Sequence, residues 1–213
     1  MGALNTRDTY GWTAKALHWL SFVIIVALIG SGKFSSSLPS GDKIFWVIGA
    51  HKQIAIVLFL FVLCRLAVRF ISTSPEHIGG WMSAMGAGLV HLLIYLTLML
   101  QVYIGIAMSQ LSKRDVLVFN LFEIPDITAS SDGLLNLCQF FLVFSSNTPG
   151  GQMRELHTLV GDSIIVLIGL HIAGALMHHV IFHDDTLRRM MPGYKPLYHK
   201  NIGTPLEEPK KKT

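Results

Sequence analysis

Four histidines, His18, His51, His157 and His171, lie inside or at the lip of long apolar runs. An ionisable side chain at membrane depth is costly and is kept chiefly where it binds or conducts something. Neutral imidazole is also the commonest metal-binding side chain. His157 and His171 are 14 residues apart. On a helix that spacing falls about 40° short of four whole turns, so both rings leave nearly one stripe, ~21 Å apart along the axis. If the apolar runs alternate across a bilayer, His18 lies at the depth of His171, and His51 at the depth of His157. Two bis-histidine centres are expected, one toward each leaflet.

Haem ligation is the chemistry such pairs suit best. A haem iron takes one imidazole from each side of its ring, which leaves no open position for oxygen chemistry and suits the passage of single electrons. Two haem b groups are expected, held without covalent links because no C-x-x-C-H occurs. Gly161 and Gly174 follow His157 and His171 by four and three residues, and Gly49 precedes His51 by two. Small residues there let a macrocycle or another helix come close. Zinc needs a tetrahedral Cys/His/carboxylate set at short spacing, and copper or non-haem iron needs three or more ligands at one level. Neither pattern occurs.

Arg65 and Arg69 sit one helical turn apart near the inner end of the second run. They fit haem propionates, which Arg binds bidentately, and equally the cationic flank of a span. Lys52 adjoins His51 and Arg154 precedes His157 by three; this outer basic pair could attract an anion or hold propionates. His91 has no depth-matched partner left and is expected in helix packing or against a propionate. His178, seven residues after His171, is the rival ligand, ranked lower because it lies at the membrane edge beside His179. His77, His183 and His199 are expected in solvent. Trp19, Trp46 and Trp81 mark span ends, as in an interfacial aromatic belt.

Membrane helices must position these residues. Hydrophobic residues make up 51% of the chain and charged residues 14%, against about a quarter charged in soluble domains. Apolar residues gather in four blocks, at 16–30, 44–67, 85–108 and 159–177. Each is near the ~20 residues that cross ~30 Å of hydrocarbon, and helices satisfy their own backbone groups where lipid cannot. The expected fold is all-α, an integral membrane four-helix bundle with helices at about 14–31, 44–71, 83–109 and 156–182. They form one domain over residues 8–192, followed by a disordered cytoplasmic tail at 193–213. A fifth patch, 134–144, is too short to span. It reads as an interfacial helix in the long outer loop between the third and fourth spans, with Cys138 and Phe141 toward lipid. With both termini cytoplasmic, the inner segments carry eleven of the Lys and Arg residues and the outer segments six, the bias the positive-inside rule requires. The first run lacks an A-x-A cleavage site and reads as a retained span rather than a secretory signal. Cys64 and Cys138 fall on opposite sides of the membrane and cannot pair.

The residues also resemble a family. Tyr10-Gly11, Leu17-His18-Trp19-Leu20, His51 with Arg65 and Arg69, and His91-Leu92-Leu93-Ile94-Tyr95 with Gly105 look like bacterial cytochrome b561. So do His157, Gly169-Leu170-His171, Ala175-Leu176-Met177-His178-His179 and Asp185-Thr186-Leu187-Arg188-Arg189-Met190-Met191-Pro192. The resemblance covers residues 8–192. It implies a four-helix protein of the bacterial cytoplasmic (inner) membrane with two b-type haems, ligated by His18, His51, His157 and His171. It also implies electron exchange with ubiquinone and, in some members, oxidation of superoxide at the outer face. The outer loop is longer here than in the compact members. The wider superfamily includes cytochrome subunits that anchor hydrogenases and formate dehydrogenases.

Three functions fit. The first is a di-haem cytochrome moving single electrons between an outer donor, superoxide among the candidates, and ubiquinone, with Lys52 and Arg154 attracting the anion. The second is a haem-bearing anchor that takes electrons from a docked redox protein. The third is a haem-free transporter using intramembrane histidines as a proton relay. Lipid is a partner in all three, and nucleic acid in none.

Overall fold

The computed structural model describes residues 2–7, 9–39, 41–75, 78 and 80–194, without the side chains of Phe140 and Phe141. The expectations for His77, His199, the Phe141 side chain and the tail beyond Tyr194 lie outside the described residues. The helices are α1 Trp12–Ser37, α2 Asp42–Ile71, α3 Trp81–Leu111, α4 Thr128–Phe141, α5 Pro149–Val180 and α6 Thr186–Met190. Two short strands, β1 Leu117–Val118 and β2 Phe122–Glu123, pair antiparallel in the outer loop.

α1, α2, α3 and α5 are each long and apolar enough to cross a membrane. Large apolar side chains such as Phe70, Leu96 and Val166 point outward, as on helices whose solvent is lipid. All four run past the apolar blocks. α5 begins at Pro149, where Thr148 caps the helix by accepting from the Gly151 N–H at 3.3 Å, and proline fits the first helical position. Its first turns carry Gln152, Arg154 and Glu155. Counting apolar residues finds only the hydrocarbon part of a helix that continues into the polar region.

α1 packs along α2, and α3 along α5, while contact between the two pairs is sparse. The seam between them is closed at mid-depth by Ile25, Leu58, Val62, Leu98 and Ile164. Ile25 lies seven residues from His18, Leu58 from His51, Leu98 from His91, and Ile164 from both His157 and His171. Seven residues are about two turns, ~10.5 Å. The aliphatic layer therefore forms a dry floor midway between the two histidine levels.

At the outer end a second cluster, Ile104, Ala107, Leu135, Met153 and Leu156, joins α4 to α3 and α5. This corrects the expectation for the fifth patch. Its helix starts at Thr128, and Cys138 packs on the cluster rather than facing lipid. Leu135 and Cys138 share one face at i, i+3, and that stripe covers the apolar wall of α3 and α5. Leu137 takes the outward position. The loop is also fastened by polar clamps. Gln110 donates to the Ile124 and Pro125 carbonyls and accepts from the Ile127 N–H. Gln53 spans the hairpin, donating to the Leu117 carbonyl and accepting from the Phe119 N–H.

At the opposite end Trp19 donates from its indole to the Met190 carbonyl at 2.9 Å. It ties α1 to α6, beyond the belt role expected of it, whereas Trp46 and Trp81 stay exposed at span ends.

Candidate functional site

His51 on α2 and His157 on α5 have ring centroids 6.3 Å apart, with planes at 70°. His18 on α1 and His171 on α5 are 6.1 Å apart, at 59°. A metal–imidazole bond of about 2.0 Å, plus ~1.1 Å from nitrogen to ring centre, would put two rings on opposite sides of one metal about 6.2 Å apart. The structure brings His51 beside His157 and His18 beside His171, at separations that would admit one metal between each pair. Each bridges the seam, one ring coming from the α1–α2 side and one from α5. No group of three or more His, Cys, Asp or Glu suited to a metal ion occurs among the described residues.

The outer pair opens into a cleft of about 290 Å³ whose floor is the aliphatic layer and whose lid includes Val116. Ser31 donates its hydroxyl proton to the Leu28 carbonyl at 3.1 Å and lies 2.9 Å from His51 Nδ1. With that proton committed, the Ser31 oxygen accepts from Nδ1–H, which leaves Nε2 the lone pair a metal requires. His157 Nδ1 and Gln101 Oε1 are buried without hydrogen-bond partners, and Gln101 Nε2 donates to the His157 carbonyl at 2.9 Å. Orphaned buried polar atoms are rare in packed structure; both belong to residues lining this cleft.

Two further glycines give the rings room. A Cβ at Gly32 would stand 3.6 Å from His51 Cε1, and one at Gly105 would stand 3.3 Å from His157 Cε1. A Cβ at Gly161 would press on Gln101, and those at Gly49 and Gly174 would meet no protein atom within 4 Å. Gly105 is on α3, so no spacing relative to His157 could reveal it. Gly105→Val is expected to push the His157 ring out of line, since overpacking of this kind costs about 1–3 kcal/mol. Haem held by the His51–His157 pair would then be lost or weakened and haem held by the His18–His171 pair retained, as read by a reductive titration followed in the visible spectrum.

At the inner level Arg65 Nη2 lies 3.1 Å from His18 Nδ1, and its guanidinium stands 5.7 Å from the Tyr95 ring centre. Arginine only donates, so Nδ1 accepts here. A metal on Nε2 requires the proton on Nδ1, and Arg65 then needs another acceptor, for which carboxylates are the best match. Arg69 is exposed in the last turn of α2. The His91 ring comes within 4.9 Å of His171, a third imidazole at this level. His178 has both ring nitrogens engaged, Nδ1 with Asp184 Oδ2 at 2.6 Å and Nε2 with Ser83 Oγ at 3.0 Å. It fastens the end of α5 to the start of α3. His183 is exposed.

Lys52 lies on the cleft rim, where Arg114 and Asp115 act on it. Arg154 is exposed and is not among the cleft-lining residues. The structure adds an unexpected ion pair on the rim, Lys33 Nζ to Asp162 Oδ1 at 2.8 Å, which joins α1 to α5.

Facing imidazole pairs across the seam of a four-span bundle are an arrangement that a membrane cytochrome would use to hold haem. The chain belongs to the prokaryotic cytochrome b561 family, whose model matches residues 9–193. It is 29% identical over 196 residues to cytochrome b561 homolog 2 of Escherichia coli (strain K12), covering 90% of this chain and 95% of that protein. It is 22% identical over 192 residues to cytochrome b561 homolog 1 of the same organism, covering 88% and 99%. It is 24% identical over 186 residues to a probable superoxide oxidase, CybB, of Yersinia pestis, covering 86% and 96%. The family binds haem b and transfers electrons in bacterial membranes.

Proposed function

We propose that this chain is a di-haem cytochrome of the cytoplasmic membrane that passes single electrons between an outer donor and ubiquinone. His18 with His171, and His51 with His157, would hold the two haems, and both termini are cytoplasmic. The observation that carries this reading is the separation of the two ring pairs, 6.1 and 6.3 Å. Bound haem would supply one-electron oxidation and reduction at an iron closed to other ligands.

The chain's own residues do the rest. Ser31 sets the tautomer of His51. Leu58, Leu98 and Ile164 keep water from the space between the two levels. Arg65, now 3.1 Å from His18 Nδ1, would meet the propionates of a haem held at the inner level. Superoxide is the favoured donor, supported by the likeness to the probable superoxide oxidase of Yersinia pestis and by the cationic Lys52 on the cleft rim. Arg154 adds only to the long-range field. Two superoxide anions each give up one electron and leave as dioxygen, while ubiquinone takes two electrons and two protons to become the quinol.

The test is haem stoichiometry and a reduced-minus-oxidised spectrum of the purified protein, followed by superoxide-driven ubiquinone reduction. Two low-spin haems per chain and quinol formation are expected. A colourless protein after expression with ample haem would overturn the reading in favour of a histidine-relay transporter. Quinone reduction that appears only with a bound hydrogenase or dehydrogenase would make the chain an anchor subunit.

A further inference from the structure

Lys15 sits one turn inward of His18 on α1 and is only 4% exposed. Its Nζ is buried without a hydrogen-bond partner. Its contact is with the face of Tyr194, 5.7 Å from the ring centre. An ammonium has three protons to donate, and a buried charge with no counter-charge is strongly destabilising. Among the described residues, the acids near this end of the bundle are already engaged. Asp185 accepts from the Tyr194 hydroxyl at 3.0 Å and pairs with Arg188 at 3.5 Å, and Asp184 pairs with His178.

The other charges here are of the same sign as Lys15. Arg65 reaches His18, while Arg69 and Arg189 both act on the Tyr10 hydroxyl. Helix geometry sets their level. Lys15 precedes His18 by three residues and Arg69 follows Arg65 by four, so each lies ~4.5–6 Å nearer the inner end than the histidine pair. Among the described residues the buried ammonium thus has no anionic partner, one helical turn from His18.

We propose that Lys15, one turn inward of His18 and of the Arg65 guanidinium that reaches it, forms a binding site for an anionic oxygen ligand just inward of His18. The ligand is a carboxylate at the edge of the inner haem or the phosphate of a phospholipid headgroup. The carboxylate source rests on the di-haem reading above; the phosphate source does not.

The test uses the full-length, haem-loaded protein with Lys15→Met, which keeps the bulk and removes the charge, and Lys15→Arg. The expected result for Lys15→Met is a downward shift of the inner midpoint potential, because a cation favouring the more negative reduced state is gone. A changed propionate bending band in the resonance Raman spectrum and easier haem loss should accompany it. The outer potential should stay put, and Lys15→Arg should restore the inner one. These shifts persist in lipid-free maltoside detergent if the ligand is the haem carboxylate, and appear only in phospholipid nanodiscs if it is a headgroup. If Lys15→Met does not accumulate, Lys15→Gln gives the same comparison. A Lys15→Met protein that keeps both haems, shows neither shift and melts at a higher temperature would overturn the site, since removing an unpaired buried charge then only stabilises. That outcome leaves the di-haem reading intact, whereas a wild-type protein without haem overturns the di-haem reading alone.

Discussion

His157→Ala is expected to take the haem content from two per chain to one. The remaining centre should keep the spectrum and potential of the inner pair. The rings of His51 and His157 face each other across the seam at 6.3 Å, and removing either leaves a single ligand. The inner rings lie on the far side of the aliphatic floor and share only the α5 backbone with the outer pair. His51→Ala should therefore copy His157→Ala, and His18→Ala and His171→Ala should remove the inner centre instead. Double variants make the pairing testable. Residues acting as one unit are non-additive, so His51→Ala with His157→Ala should lose no more haem than either alone. His18→Ala with His157→Ala should lose both. Quantifying haem against protein and counting steps in a reductive titration reads this directly. The pairing is wrong if the first double variant is haem-free while the second still holds one haem. Electron transfer across the membrane should fall to background in every single variant, because one remaining centre leaves ~20 Å of helix uncrossed.

The second large effect separates His178 from His171. His171→Ala should lose the inner haem. His178→Ala should keep both haems and lose stability instead, because it strands two part-buried partners, Ser83 and Asp184. An unsatisfied buried polar group costs about 1–3 kcal/mol, so a clear fall in melting temperature at unchanged haem content is expected. The same tie has a pH signature. Burial by itself would raise the Asp184 carboxyl, but hydrogen bonds from Thr186 and His178 outweigh it and hold the group below its ordinary value. A carboxyl depressed in the folded state adds stability that is fully present above the ordinary Asp value of about 3.9 and is lost as pH falls through the folded value. Asp184→Asn should weaken the protein near neutral pH and flatten its acid limb. Thermal melts of wild type and variant from neutral to acid pH provide the check. Melting curves with an unchanged acid limb, or haem loss from His178→Ala but not from His171→Ala, would reverse the roles assigned here.

Much of the site could be read from residue numbers. The interval between His157 and His171 sets both their shared stripe and their separation, because rise and twist per residue are constants of the helix. The same arithmetic explains the aliphatic floor seven residues from each histidine. Membrane character followed from composition, since no other explanation suits four apolar runs of spanning length. Residue numbers did not reveal the lateral neighbours. Gly105 against His157, Gln101 on the His157 carbonyl, Ser31 on His51, His91 beside His171 and the Lys33–Asp162 pair all join different helices. The exception is Ser31 and His51, whose helices are consecutive, yet even there no period relates the two positions.

The outer loop followed the same division. A short helix in this loop was legible as an apolar patch too short to span, but the direction of its apolar face was not. Cys138 turned inward because α3 and α5 stand beyond the hydrocarbon and offer α4 a protein wall. By itself the sequence determined how deep each functional side chain lies and at what angle it leaves its own helix, because those are local properties of one regular backbone. Only the tertiary structure decided which groups stand beside it. Azimuth on one helix acquires a neighbour only when side-chain packing has chosen which helix lies alongside and how closely.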